Sequence, residues 1–163
     1  MQIRVRQSGA VMFWNEFRDL LLAQNPSELI TVAPQTEEWL NAHGADVVLE
    51  GPQASDGTVY QYSMLQGVEQ LDGKWYTKYV LGPIFTDGET TAVEQETAYK
   101  AIKDAEQAKN VRNLRTEMLK DCDWTQIADS TADKTAWATY RQALRDVTGQ
   151  TGFPWTITWP TQP

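Results

Sequence analysis

The acidic side chains are the first candidates for chemistry, because 22 Asp and Glu residues outnumber 14 Lys and Arg residues. Asp121 and Asp123 flank Cys122, and two carboxylates so placed could meet a divalent cation. A calcium site is usually built on a glycine-containing loop, and no such loop surrounds these residues. Catalytic carboxylate pairs of the glycosidase kind cannot be identified without a motif. We therefore predict no metal site and no cofactor.

Histidine and cysteine are too scarce for the common catalytic and zinc sites. His43 and Cys122 are the only residues of their types, and they lie far apart in the sequence, so neither an intrachain disulfide nor a Cys/His zinc cluster can form. The sequence contains no Gly-x-Ser-x-Gly, phosphate loop, Gly-x-Gly-x-x-Gly or Cys-x-x-Cys motif. His43 precedes Gly44 at the end of a predicted helix, where the helix dipole favours a cation. We predict no catalytic residues and no enzymatic activity.

The seven tryptophans are the remaining candidates, because aromatic faces can stack on sugar rings or on another protein. Trp75 has the spacing of a strand core and Trp137 that of a helix core, so packing explains both. Trp155 and Trp159 lie on either side of Ile157 in a proline-containing tail. An extended chain would point both rings to the same face. Packing, contact with another protein and glycan binding all stay open.

The first part of the chain predicts a small α+β unit. Asp72-Gly73 separates two strand candidates, as in a two-residue hairpin. Apolar residues recur at spacings of three and four after Met12, which indicates an amphipathic helix. The predicted strands are 3–7, 46–50, 58–71 and 74–85, and the predicted helices are 12–23 and 36–44.

A long helix is predicted over residues 89–121, which contain no Gly or Pro. Thr91 and Glu94 have the spacing of a capping box. A helix of this length would span roughly 50 Å, yet its apolar stripe is narrow and rich in alanine. Such a stripe needs a partner. The partner could be the same helix of another copy, a different protein, or the N-terminal sheet.

The remainder predicts a last helix over 133–148, capped by Ser130 or Thr131, and an extended tail. Trp137, Tyr140 and Leu144 fall on one face of that helix. The last eleven residues contain three prolines and three large aromatics. Prolines exclude a helix there, and disordered tails are poor in aromatics, so the tail must dock on something. Arg141 and Arg145, one turn apart, could contribute cation–π contacts.

Charge and hydropathy exclude two classes of partner. The formal net charge of −8 opposes uniform binding to nucleic acid, which depends on Lys and Arg. No apolar run approaches the roughly 20 residues that a bilayer-spanning helix needs. The N-terminus is too polar for a secretory signal. We expect a protein made and kept in the cytosol, or assembled there into something larger, with no nucleic-acid or membrane partner.

The order of residues after Val111 resembles the C-terminal domain of bacteriophage tail assembly chaperone proteins. The resemblance rests on Arg112-Asn113-Leu114-Arg115, Asp123-Trp124-Thr125-Gln126, the segment 137–146, Gly152-Phe153-Pro154 and Trp159-Pro160. Gly44 to Pro52 and the Asp72 hairpin look like the N-terminal unit of other proteins from phage tail-fibre neighbourhoods.

The resemblance implies a non-catalytic phage tail protein that acts by protein–protein contacts with fibre, baseplate or tube subunits. We expect a structural connector in the virion tail, assembled in the host cytoplasm. An assembly chaperone absent from the mature virion is the alternative, and a glycan-binding receptor-recognition protein is the third possibility. The expected parts are an α+β docking unit (1–86), a connecting helix that forms homo- or hetero-oligomers (87–121) and a chaperone-like module (122–163).

The predicted fold class is α+β: a small N-terminal antiparallel sheet with two helices, then a long helix, a helical hairpin and an extended C-terminal tail. The predicted partner-binding residues lie on the last helix, in the loop that precedes it or in the tail. They are Trp124, Trp137, Tyr140, Arg141, Arg145, Phe153, Trp155 and Trp159.

Overall fold

The computed structural model describes residues 1–27 and 29–163, which form two units, Met1–Ile84 and Phe85–Pro163. The fold class is confirmed as α+β, with an N-terminal sheet, helices beside it and a long helix that follows. The division of the chain into a docking unit, a connecting helix and a chaperone-like module stays a prediction.

The N-terminal unit contains a five-stranded sheet in the order β2-β1-β3-β5-β4. Three of its four pairings are antiparallel, and β3 pairs with β5 in parallel, so the sheet is mixed. A two-residue periodicity predicts a strand but not the direction of its neighbour. The elements are β1 (Gln2–Val5), β2 (Val11–Phe13), α1 (Trp14–Gln24), α2 (Glu37–Ala42), β3 (Ala45–Leu49), β4 (Tyr62–Leu71) and β5 (Lys74–Gly82).

The hairpin between β4 and β5 forms at the predicted turn. Leu71 pairs with Lys74, and Asp72 and Gly73 both have positive φ angles, of 48° and 78°. That geometry is a type I′ turn, in which glycine is favoured at the second position. Strand β4 is shorter than predicted, because it begins at Tyr62 rather than at residue 58.

Both helices of the N-terminal unit cover one face of the sheet at β1 and β3. The buried core includes Ile3, Phe17, Leu40 and Ala45. The helix predicted from residue 12 begins instead at Trp14, because Val11–Phe13 pairs with β1 as an edge strand. The His43 ring stacks on the Trp39 ring at 3.6 Å, and its Nδ1 lies 2.7 Å from the Trp39 carbonyl oxygen. Packing therefore accounts for the single histidine.

The C-terminal unit is a helical hairpin followed by a tail. Its helices are α3 (Ala92–Asp121) and α4 (Lys134–Asp146), with short 3₁₀ turns at Asp123–Gln126 and Val147–Gly149. At 30 residues, α3 is roughly 45 Å long. The tail turns over 151–156 and then has no regular secondary structure.

The two helix starts differ in how well the sequence predicts them. The capping box at the start of α3 is confirmed: the Thr91 hydroxyl accepts from the Glu94 N–H, and the Glu94 carboxylate accepts from the Thr91 N–H. At α4 the N-cap is Asp133, whose carboxylate accepts from the N–H groups of Thr135 and Ala136. The prediction of Ser130 or Thr131 was wrong, because all three residue types cap helices well.

The fully buried residues that the structure describes on α3 lie in its second half. Ala108 and Val111 are buried, whereas Ile102 is 57% exposed and Val93 is also exposed. Cys122 is completely buried where α3 ends. The hairpin therefore concentrates its core at one end of the long helix.

The capping box predicts a specific pH dependence of stability. Hydrogen bonds from the Thr91 backbone and hydroxyl lower the pKa of Glu94. A carboxyl whose pKa is lower in the folded chain stabilises the fold above its unfolded pKa, and this contribution is lost as pH falls through the folded pKa. The difference in unfolding free energy between wild type and Glu94→Gln should stay constant down to about pH 5 and then shrink.

Denaturant titrations at a series of pH values measure that difference. Glu89→Gln is the matched control, because Glu89 is an exposed carboxylate outside the capping box. If the difference in unfolding free energy between wild type and Glu94→Gln is unchanged down to about pH 3, the proposed contribution of the capping box is contradicted.

Candidate functional site

Three of the predicted residues meet in one cluster where α3 and α4 pack. Tyr140 is buried beside Cys122 and Leu144, and Trp137 and Trp159 pack against this core from the outside. Trp137 contributes a partly buried ring, and Trp159 reaches the cluster from the tail. The helical spacing of Trp137, Tyr140 and Leu144 thus reports core packing, which was the simpler of the two interpretations of Trp137.

Arg141 joins the end of α3 to α4. Its guanidinium donates to the Leu119 carbonyl oxygen at 2.8 Å, to Cys122 Sγ at 3.0 Å and to Asp123 Oδ1 at 2.8 Å. Only 11% of the side chain is exposed. Burial acts to lower the pKa of Arg141, but the hydrogen bonds to Asp123 and Cys122 outweigh it and raise the pKa above its ordinary value. The side chain therefore stays charged and serves as a fixed link.

Two tryptophan rings lead from this link to the surface, and we name the aromatic tip after them: Trp124 and Trp137, with Ile127 three positions after Trp124 in the sequence. Trp124 is 53% exposed and Ile127 is 54% exposed. The Trp124 ring meets the Trp137 ring edge-on, with centroids 5.8 Å apart, and Trp137 meets Tyr140 in the same way at 5.6 Å. A chain of three rings therefore runs from the buried cluster to the surface.

The tail docks on α3, as the sequence predicted that it must dock somewhere. The Trp155 indole N–H donates to Asp104 Oδ1 at 2.5 Å, and Arg112 lies over the Phe153 ring at 5.4 Å. The side chain of Gln150 bonds both the N–H and the carbonyl of Thr158, each at 2.8 Å. We call this pair of bonds the glutamine clasp.

Arg145 does not join these contacts and is exposed on α4. The cation over a tail ring is Arg112, rather than Arg141 or Arg145 as the sequence suggested. Asp104, Arg112 and Gln150 were missed as contributors. Asp104 and Trp155 are 51 positions apart, and no local pattern pairs residues at that distance.

A groove remains between the tail and α3. It has a volume of about 250 Å³ and is lined by Gln107, Asn110, Val111, Leu114, Trp155, Ile157 and Trp159. Within residues 1–27 and 29–163, no group of three or more His, Cys, Asp or Glu side chains could hold a metal ion. In the same residues, no helix combines the length and apolar content needed to cross a membrane.

Comparison with known proteins identifies one family. Residues 108–163 match the model of a family described as phage tail assembly chaperone protein. The matched segment is about a third of the chain, and it contains all eight predicted partner-binding residues. The resemblance is therefore confirmed over this segment. No curated protein and no solved structure matches the chain.

The match supports a role related to phage tails and gives no support to catalysis. It fits the assembly-chaperone alternative better than the virion connector that the sequence analysis placed first. The roles of the individual partner-binding residues stay predictions.

Removal of the Tyr140 hydroxyl should not destabilise the fold. Tyr140 is 3% exposed, and its hydroxyl has no hydrogen-bond partner among the described residues. A buried hydroxyl without a partner costs about 1–3 kcal/mol. Tyr140→Phe should therefore leave the unfolding free energy unchanged or raise it by up to about 1 kcal/mol in urea titrations.

Tyr79→Phe provides the comparison, because the Tyr79 hydroxyl donates to Glu50 Oε1 at 2.5 Å. That substitution should lower the stability of the N-terminal unit by about 1 kcal/mol. A loss of more than about 1 kcal/mol for Tyr140→Phe would show that its hydroxyl makes a stabilising bond.

Proposed function

We propose that this chain is a phage tail assembly chaperone, which binds a tail subunit through its C-terminal hairpin during assembly and is then released. The observation that carries the proposal is the family match over residues 108–163. That segment coincides with the part of the chain in which the aromatic tip and the docked tail are built.

The aromatic tip is the proposed contact with the subunit. Trp124 and Ile127 leave about half of their surfaces in water, although both are large and apolar. Tryptophan is over-represented among the residues that contribute most to protein–protein binding. Covering this surface with a partner would remove apolar area from water, which is the general driving force of association.

The tip is also held in place before any partner binds. Arg141 fixes Asp123, next to Trp124, to α4 through a hydrogen bond of 2.8 Å. The Trp137 ring in turn packs edge-on against the ring of the buried Tyr140. A preorganised surface loses less conformational entropy on binding, which favours affinity. Tyr140 and Arg141 therefore act by positioning the tip, and Arg145 adds an exposed cation on α4.

A permanent place in the virion is the second candidate, and the exposed first half of α3 favours it. Val93 and Ile102 are exposed apolar residues on the first half of a helix of roughly 45 Å. In this version α3 forms homo- or hetero-oligomers and connects fibre, baseplate or tube subunits, with the N-terminal unit as a further docking surface. Glycan binding by the exposed Trp124 ring is the third candidate.

Substitution of Trp124 tests the contact directly. In cells that produce the phage, tagged wild-type chain should co-purify with a tail structural protein that mass spectrometry identifies. Trp124→Ala should reduce that yield at least tenfold, because truncation of a central tryptophan costs about 2 kcal/mol or more of binding. The loss of one edge-on ring contact should cost the fold only about 1 kcal/mol, which circular dichroism can check.

Tyr62→Ala is the matched control, because Tyr62 is a similarly exposed aromatic residue on β4 of the N-terminal unit. It should leave the co-purified tail protein unchanged. The opposite pattern, with loss for Tyr62→Ala and retention for Trp124→Ala, would assign the contact to the N-terminal unit and contradict the proposed surface.

A further inference from the structure

The C-terminal tail occupies a surface that has the features of a peptide-binding groove. Val111 and Leu114 supply an apolar floor, and Gln107 and Asn110 supply amides along it. Asp104 accepts the indole N–H of Trp155 at one end, and Trp159 packs on the buried cluster at the other. The groove thus takes a segment with two aromatic residues four positions apart.

The tail is held by side chains rather than by secondary structure. Residues 157–163 belong to no helix or strand. The glutamine clasp ties Thr158 to Gln150 within the tail itself, and Trp155, Ile157 and Trp159 are only partly buried. Leu114 remains 51% exposed beside them, and a cavity of about 250 Å³ is left in the groove. The tail therefore fills the groove incompletely.

We propose that residues 150–163 are an exchangeable strap, and that the groove beneath them binds an aromatic- and proline-containing segment of the tail subunit when the strap lifts. This inference rests on the proposed chaperone function. The chemistry of the occupant is argued from the strap itself, which is the segment seated in the groove: an N–H donor for Asp104 and an aromatic ring for the cluster around Tyr140.

The strap would provide the release step that an assembly chaperone needs. A segment tethered to its own groove competes at an effective concentration of about millimolar. The apparent affinity for a subunit is then reduced by the fraction of chains whose groove is open. A subunit segment binds while its concentration or avidity is high and is displaced by the strap once assembly buries that segment elsewhere.

A peptide-exchange measurement tests the strap without any other phage protein. The probe is a fluorescent peptide with the sequence of residues 150–163, and fluorescence anisotropy measures its binding to the full chain. Gln150→Ala removes both bonds of the clasp and leaves the groove intact. The peptide should bind this variant about tenfold more tightly than wild type, because the peptide keeps the two internal hydrogen bonds that order the strap and the chain's own strap has lost them.

Two controls separate the groove from general loosening. Gln142→Ala removes a glutamine on α4 that bonds Asp146, away from the groove lining, and should bind the peptide as wild type does. A peptide with Trp155→Phe lacks the donor for Asp104, so it should bind the Gln150→Ala chain about tenfold more weakly than the unaltered peptide.

Equal binding of the peptide by wild type, Gln150→Ala and Gln142→Ala, or binding by none of them, would overturn the proposal. If Gln150→Ala does not fold, amide hydrogen exchange of the wild-type chain tests the strap instead. Saturating peptide should displace the strap and so accelerate exchange in the chain's own residues 153–160. No acceleration would overturn it. A chain that fails these tests but still co-purifies with a tail protein through Trp124 remains a chaperone that uses the aromatic tip alone.

Discussion

The C-terminal unit depends on one partly buried charge, the guanidinium of Arg141, which reaches from α4 to the end of α3. A buried cation is costly unless it is paired and hydrogen-bonded, and Arg141 has three acceptors: a carbonyl, a sulfur and a carboxylate. The carbonyl belongs to Leu119 in the last turn of α3, where the helix dipole favours a cation. This single side chain joins α4 to the last turn of α3 and to Asp123, the residue next to Trp124.

The same link makes the tail's docking possible. Because α4 is held against the end of α3, Tyr140, Leu144 and Cys122 form a cluster on which Trp159 can pack. The strap lies along α3 between Asp104, which binds Trp155, and this cluster. The aromatic tip and the groove are thus two surfaces of one small hairpin, one open to a partner and one covered by the chain itself. The exposed apolar residues Val93 and Ile102 on the first half of α3 mark a third surface, available for an oligomer.

The sequence predicted what local patterns determine. The Asp72-Gly73 turn, the Thr91–Glu94 capping box and the one-sided face of α4 all follow from residues within a few positions of each other. The parallel pairing of β3 with β5 did not follow, because neither strand's periodicity encodes the direction of its neighbour. The partners of Arg141 and Trp155 were also out of reach, since each contact joins residues far apart in the chain. Composition still predicted that a tail rich in aromatics must dock.

We propose above that the aromatic tip contacts a tail subunit only temporarily, during tail assembly. Quantitative mass spectrometry of gradient-purified phage particles, with the infected-cell lysate measured in parallel, tests it most directly. The chaperone account predicts that the chain is abundant in the lysate and present at less than one copy per particle. A fixed copy number that matches the symmetry of the tail would contradict release and establish the chain as a permanent tail component.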